Sequence, residues 1–120
     1  MNKRSNREYD LQVACVKLFK LSFKPAQAIL FAVPNGGSRN ILEAANMKKA
    51  GVVSGVADLI MVCRAGVLFL ELKTESKGSR QSPAQKEFQQ HVEALGYTYI
   101  ICRNVSEFID SCNDFIYRKK

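Results

Sequence analysis

The chain has 120 residues, with 18 Lys and Arg against 11 Asp and Glu and a formal charge of +7. That length fits one domain, residues 1–120, able to bury about two-thirds of its unfolded surface without disulfide staples. With 47% hydrophobic and 24% charged residues, the composition excludes a disordered chain, and no apolar run approaches the ~18 residues of a membrane span. The basic N-terminus, with Lys17 and Lys20 in the segment that follows, lacks the apolar core of a secretion signal. A cytoplasmic protein with no membrane partner is therefore expected. Cys15, Cys63, Cys102 and Cys112 are widely spaced, contain no Cys-x-x-Cys pair and lie in or beside apolar segments, as reduced core thiols do. With no closely paired ligands and His91 the only histidine, a zinc site is not expected, and nuclease chemistries built on His clusters have no ligands to use.

In chain order, Leu11, Ala14, Cys15, Leu18 and Phe19 recur at helical spacing and predict an amphipathic helix over residues 5–21. Ser5 and Glu8 stand three apart at its start, the spacing of a capping box. The apolar run at residues 28–33, closed by Pro34-Asn35-Gly36-Gly37, is too short for a typical helix and predicts a buried strand ending in a turn. Ser38 can cap a short helix over residues 40–49, with Ile41, Ala44 and Ala45 inward and Gly51 as its stop.

Residues 58–63 and 67–73 form two apolar runs around Arg64-Ala65-Gly66, which predicts a tight hairpin covered on both faces by helices. Ser82-Pro83-Ala84-Gln85 supplies an N-cap, a proline at N1 and a capping-box glutamine. Ala84, Phe88, His91, Val92 and Leu95 then share one helical face, which makes His91 a core or interface histidine. Residues 97–102 predict a fourth strand and residues 105–116 a last helix capped by Asn104. The order α, β, α, β, β, α, β, α gives an α/β fold with a mixed sheet.

Within this frame the informative feature is Glu71-Leu72-Lys73. Residues two apart on a strand share a face, so Glu71 and Lys73 are neighbours in an otherwise apolar run, where charges are rare unless paired or bound to a cation. The bland alternative is a strand end where both reach solvent. Asp58 opens the preceding strand, and a tight hairpin can bring its carboxylate beside Glu71. Mg²⁺ takes one or two carboxylates, waters and phosphate oxygens in an octahedral shell. Asp58, Glu71 and the Leu72 carbonyl can supply such a site, with Lys73 placed to orient water and offset phosphate charge.

The motifs Val33-Pro34-Asn35-Gly36-Gly37 with Arg39, Gly55-Val56-Ala57-Asp58-Leu59-Ile60, Glu71-Leu72-Lys73-Thr74 and Ser82-Pro83-Ala84-Gln85 together resemble the virus-type replication-repair nucleases (VRR-NUC) of the PD-(D/E)xK superfamily. The resemblance covers most of the chain. Its departure is Ala57, where the family often has proline. It implies a restriction-endonuclease-like four-stranded sheet flanked by helices and a metal-dependent DNA endonuclease using Mg²⁺ or Mn²⁺. It further implies Asp58 and Glu71 as ligands, Lys73 as the catalytic lysine, and Gln85 and Glu8 as supporting residues, Glu8 reaching the metal directly or through water. Stand-alone members are phage-encoded or bacterial homodimers acting on branched, junction or flap DNA in replication and repair, which would place this chain in a bacterial or phage-infected cytoplasm.

DNA contacts are expected from Asn35, Gly36 and Arg39, whose turn offers backbone donors and a guanidinium, and from Lys77 and Arg80 in the polar loop after the Glu71 strand. An ordinary solvated turn and loop are the alternatives for these segments. The positive charge suits a nucleic-acid partner. Competing functional readings are a non-catalytic nucleic-acid-binding module of the same fold and a restriction-type or RNA-processing nuclease with the same metal site.

Overall fold

The structure, a computed structural model, describes residues 3–34, 41–76 and 78–118, without the side chains of residues 3–6, 41 and 42. Its elements run α1 (Lys3–Ser22), β1 (Ala28–Ala32), α2 (Ile41–Lys49), β2 (Leu59–Cys63), β3 (Gly66–Leu72), α3 (Pro83–Ala94), β4 (Thr98–Cys102) and α4 (Val105–Ile116). This is the expected order. The strands form one four-stranded mixed sheet in the order β1-β2-β3-β4. The first two pairings are antiparallel and the third is parallel.

The β2–β3 hairpin closes in two residues, Arg64 and Ala65, because Cys63 pairs with Gly66 and Gly66 adopts φ +133°, a value that favours glycine. A parallel β3–β4 pair cannot be joined by a hairpin, and α3 is the crossover that returns the chain. Alternation along the strands then sorts their side chains. Leu59, Met61, Leu68, Leu70, Leu72 and Cys102 pack with Cys15, Phe19 and Phe23 of the α1 side and with Phe108, Cys112 and Phe115 of α4. On the opposite face, Ala57, Val92 and Tyr99 are buried with Phe69, Phe88 and Ile101, beneath α3.

The cysteines are free, and Cys15, Cys102 and Cys112 are buried. Burial pushes the Cys15 and Cys112 thiols up to about 12 and that of Cys102 to about 11, so they behave as packing groups rather than nucleophiles. No helix among the described residues is long and apolar enough to cross a membrane.

Several features depart from the sequence expectations. Helix α1 begins at Lys3, so Ser5 lies inside it and cannot be the N-cap of a box with Glu8. Strand β1 is not buried: it is an edge strand, and Ile29 and Phe31 are 50% and 46% exposed. Val62 beside Ile29 is also exposed, so among the described residues the outer half of the sheet keeps one face uncovered. Ala44 and Ala45 of α2 are exposed rather than inward. His91 and Leu95 are likewise exposed, whereas Val92 of the same helix is buried. Ser38, the side chain of Ile41, and the turn carrying Asn35, Gly36 and Arg39 lie outside what the structure describes, as does Lys77.

Candidate functional site

The hairpin register that pairs Leu59 with Leu70 puts Asp58 opposite Glu71 when carried one residue further. Asp58 is held on both sides: its backbone carbonyl accepts from Val33 N–H at 3.0 Å, and its Oδ2 accepts from Leu72 N–H at 2.7 Å. The carboxyl of Asp58 sits above its ordinary value, chiefly because burial removes it from water, with Glu71 and Glu8 adding to the rise and Leu72 N–H and Lys73 opposing it. Desolvation and nearby anions both disfavour the charged form. Glu8 therefore belongs to the electrostatic surroundings of Asp58, carried there by α1.

Glu71 is fully buried and Lys73 only 9% exposed, which removes the reading of a strand end reaching water. Lys73 Nζ stands 4.0 Å from Glu71 Oε2. Even so, Glu71 Oε2 is buried with no hydrogen-bond partner. The other oxygen, Oε1, accepts from Gln81 Nε2 at 2.8 Å and from the Tyr99 hydroxyl. Burial, followed by the bond to Glu71, drives the Tyr99 hydroxyl far above its ordinary value, so it remains a neutral donor.

Around this pair the backbone is closely fitted. Gly55 adopts φ +79°, and a Cβ placed on it would fall 2.4 Å from the Ala84 carbonyl carbon and oxygen. Only glycine lets the segment leading to Asp58 lie against the first turn of α3. That turn is fixed by the expected capping box: Ser82 Oγ accepts from Gln85 N–H, and Gln85 Oε1 accepts from Ser82 N–H at 2.8 Å. The Gln85 side-chain oxygen is thus committed to the cap, and the glutamine bonded to Glu71 is Gln81. After β3, Arg103 clasps the connecting loop by donating to the Thr74 and Ser79 carbonyls at 2.9 and 3.0 Å. Arg80 is exposed on that loop.

The structure therefore brings Asp58, Glu71 and Lys73 together, with Glu8 nearby, and adds Tyr99, Gln81 and Arg103, which the sequence reading missed. For Tyr99 a signal was present: a tyrosine on the buried face of an apolar strand needs a partner for its hydroxyl. Gln81 and Arg103 carried none, since both act through contacts distant in sequence. Among the described residues no group of three or more His, Cys, Asp or Glu side chains is arranged to hold a metal. A cation here would have to draw on the two carboxylates, backbone oxygen and water.

No protein-family model and no curated protein matches the chain. Among solved structures, a chain described as a VRR_NUC domain protein is similar to it with a TM-score of 0.73 and 25% sequence identity, over 91% of this chain and 87% of that one. The chain accordingly has a VRR-NUC-like fold, which points to a nuclease-type domain.

Proposed function

We propose that this chain is a divalent-metal-dependent DNA endonuclease that hydrolyses phosphodiester bonds. The observation that carries the reading is Glu71: a buried carboxylate with one oxygen bare, beside Lys73 and across the hairpin from Asp58. A buried anionic oxygen without a donor is costly in the unliganded chain, and a cation offsets that cost. Asp58 adds to this: burial chiefly holds its carboxyl above the ordinary value, with Glu71 and Glu8 adding to the rise, and a cation beside it would offset that cost. Two carboxylates and a carbonyl, completed by water and phosphate oxygens, fit Mg²⁺ or Mn²⁺.

Asp58, Glu71 and the Leu72 carbonyl are the ligands in this proposal, with Glu8, which among the described residues is not grouped with the two carboxylates as a third side-chain ligand, contributing through water. A bound Mg²⁺ or Mn²⁺ supplies charge neutralisation at the scissile phosphate and favours ionisation of the attacking water. Leu72 N–H holds Asp58 Oδ2 at 2.7 Å and so fixes the orientation of that carboxylate. Lys73, kept nearly dry by the surrounding core, orients the water and donates to the phosphate as charge builds on it. Gln85 acts by fixing the start of α3 against the Gly55 segment. Asn35, Gly36, Arg39, Lys77 and Arg80 follow the DNA backbone.

Branched, junction or flap DNA is the proposed substrate, and a two-fold homodimer the proposed assembly. The exposed Ile29, Phe31 and Val62 offer apolar surface for a second copy to cover. The test is cleavage of end-labelled four-way, flap, single-stranded and linear DNA, with sedimentation at the same protein concentration. Preferential cutting of branched DNA by a dimer is the expected result. Preference for linear duplex or RNA moves the reading to a restriction-type or RNA-processing enzyme, and binding without cutting moves it to a non-catalytic module.

A further inference from the structure

Glu71 has two oxygens of equal charge, and the protein treats them differently. Oε1 takes two donors, Gln81 Nε2 at 2.8 Å and the Tyr99 hydroxyl, while Oε2 has no hydrogen-bond partner and faces Lys73 Nζ at 4.0 Å, beyond hydrogen-bond reach. The terminal torsion of a glutamate is normally broad. Two donors from different elements on one oxygen remove that freedom and fix where the other oxygen lies.

The donors are themselves constrained. Gln81 uses its amide nitrogen twice, toward Glu71 Oε1 and toward Gln89 Oε1, each at 2.8 Å, so a flipped amide would set its oxygen against two acceptors. Gln89 in turn donates to Glu93 Oε2 at 3.2 Å. One hydrogen-bonded series thus runs from the exposed side of α3 to the buried carboxylate. Tyr99 is located independently, by β4 pairing opposite Phe69 and by its ring lying 6.2 Å from that of Phe88.

We propose that Tyr99 and Gln81 are positioning residues that select Glu71 Oε2 as the oxygen presented to a divalent cation, an inference that rests on the metal-dependent reading above. Partners that orient ligands in this way are worth about 10–100-fold in metal affinity. Neither residue touches the reacting atoms; both act through Glu71.

The experiment is a calorimetric Mn²⁺ titration of the full chain as wild type, Tyr99→Phe, Gln81→Met and Glu71→Gln, with Tm measured in chelator and the Mn²⁺ concentration for half-maximal DNA cleavage. Tyr99→Phe keeps the ring and Gln81→Met keeps the length. Both are expected to weaken Mn²⁺ binding by about 10-fold or more with at most a modest fall in Tm from the lost donor, and with cleavage recovering at high Mn²⁺. A lowered Tm with an unmoved Mn²⁺ midpoint would show a merely structural role and overturn the proposal. If Glu71→Gln loses Mn²⁺ while both positioning variants bind it normally, the positioning claim fails and the metal reading survives. If Glu71→Gln binds Mn²⁺ as wild type does, both fall together.

Discussion

The Leu72 backbone N–H donates to Asp58 Oδ2 at 2.7 Å, tying the entrance of β2 to the exit of β3. This bond sets the side chain of Asp58 from the backbone of the strand that carries Glu71, so the two carboxylates keep one geometry as long as the hairpin is formed. Asp58→Asn keeps an oxygen for Leu72 N–H and removes only the charge. Its expected result is higher stability in chelator at pH 7 with a marked loss of divalent-cation binding. Asp58→Ala also removes the acceptor and is expected to be less stable than Asp58→Asn by about 1–3 kcal/mol. Urea unfolding in chelator and cation titration check both.

The pH dependence follows from the same residue. Burial raises the folded carboxyl of Asp58 above 3.8, so between that value and the folded one the native state holds more protons than the unfolded chain. Stability then falls as pH rises through the window, and the penalty persists at neutral pH. In chelator, Asp58→Asn is therefore expected to exceed wild type in Tm at pH 7, with the gap closing as pH drops toward 3.8. Thermal melts of both proteins from pH 7 to pH 4 check it; a gap that does not narrow at low pH contradicts the assignment.

Gly55 offers a backbone test. Its φ of +79° and the 2.4 Å approach that an added Cβ would make to the Ala84 carbonyl act together, since a left-handed conformation and a clash with rigid backbone each carry a cost. Gly55→Ala is expected to lose about 2–5 kcal/mol and, by moving the Asp58 segment off α3, to weaken cation binding as well. Denaturant unfolding gives the first quantity and calorimetry the second.

Arg103 stabilises the loop after β3 through two carbonyl contacts from one nitrogen. Charge-assisted bonds of this kind contribute about 1.5–3 kcal/mol. Arg103→Ala is expected to destabilise by that order and to open the loop to limited proteolysis near Ser79 before the rest of the chain is cut. Equal protease resistance in the two proteins would remove the clasp from the explanation.

Much of the architecture was legible because its signals are local. Ser82, Pro83, Gln85 and Asn104 announce caps within four residues of the groups they satisfy, and the alternation of Glu71, Leu72 and Lys73 fixes which side chains share a face. The failures have physical causes too. Apolar composition marked residues 28–33 as a strand but could not say that β1 lies at an edge with Ile29 and Phe31 half exposed, because coverage depends on where helices dock. Helical periodicity put His91 and Leu95 with Val92, yet only the part of α3 resting on Phe69 and Tyr99 is buried. A tyrosine on an apolar strand signals that the Tyr99 hydroxyl has a partner, but not which one: Tyr99 is 28 residues from Glu71 and Gln81 is 10 away, so the parallel crossover, not spacing, brings them in.

The most direct measurement is cleavage of end-labelled branched DNA by wild type and Lys73→Ala in Mg²⁺, in Mn²⁺ and in chelator, paired with a cation titration of each protein. Wild type is expected to cut only with a divalent cation. Lys73→Ala is expected to bind the cation at least as well, because Glu71 loses a competing positive charge, while turnover falls by about 100-fold or more, the scale of removing one donor from a developing charge. Cutting that persists in chelator, or that survives intact in Lys73→Ala, would contradict the assignment of Asp58, Glu71 and Lys73 as a metal-dependent nuclease site.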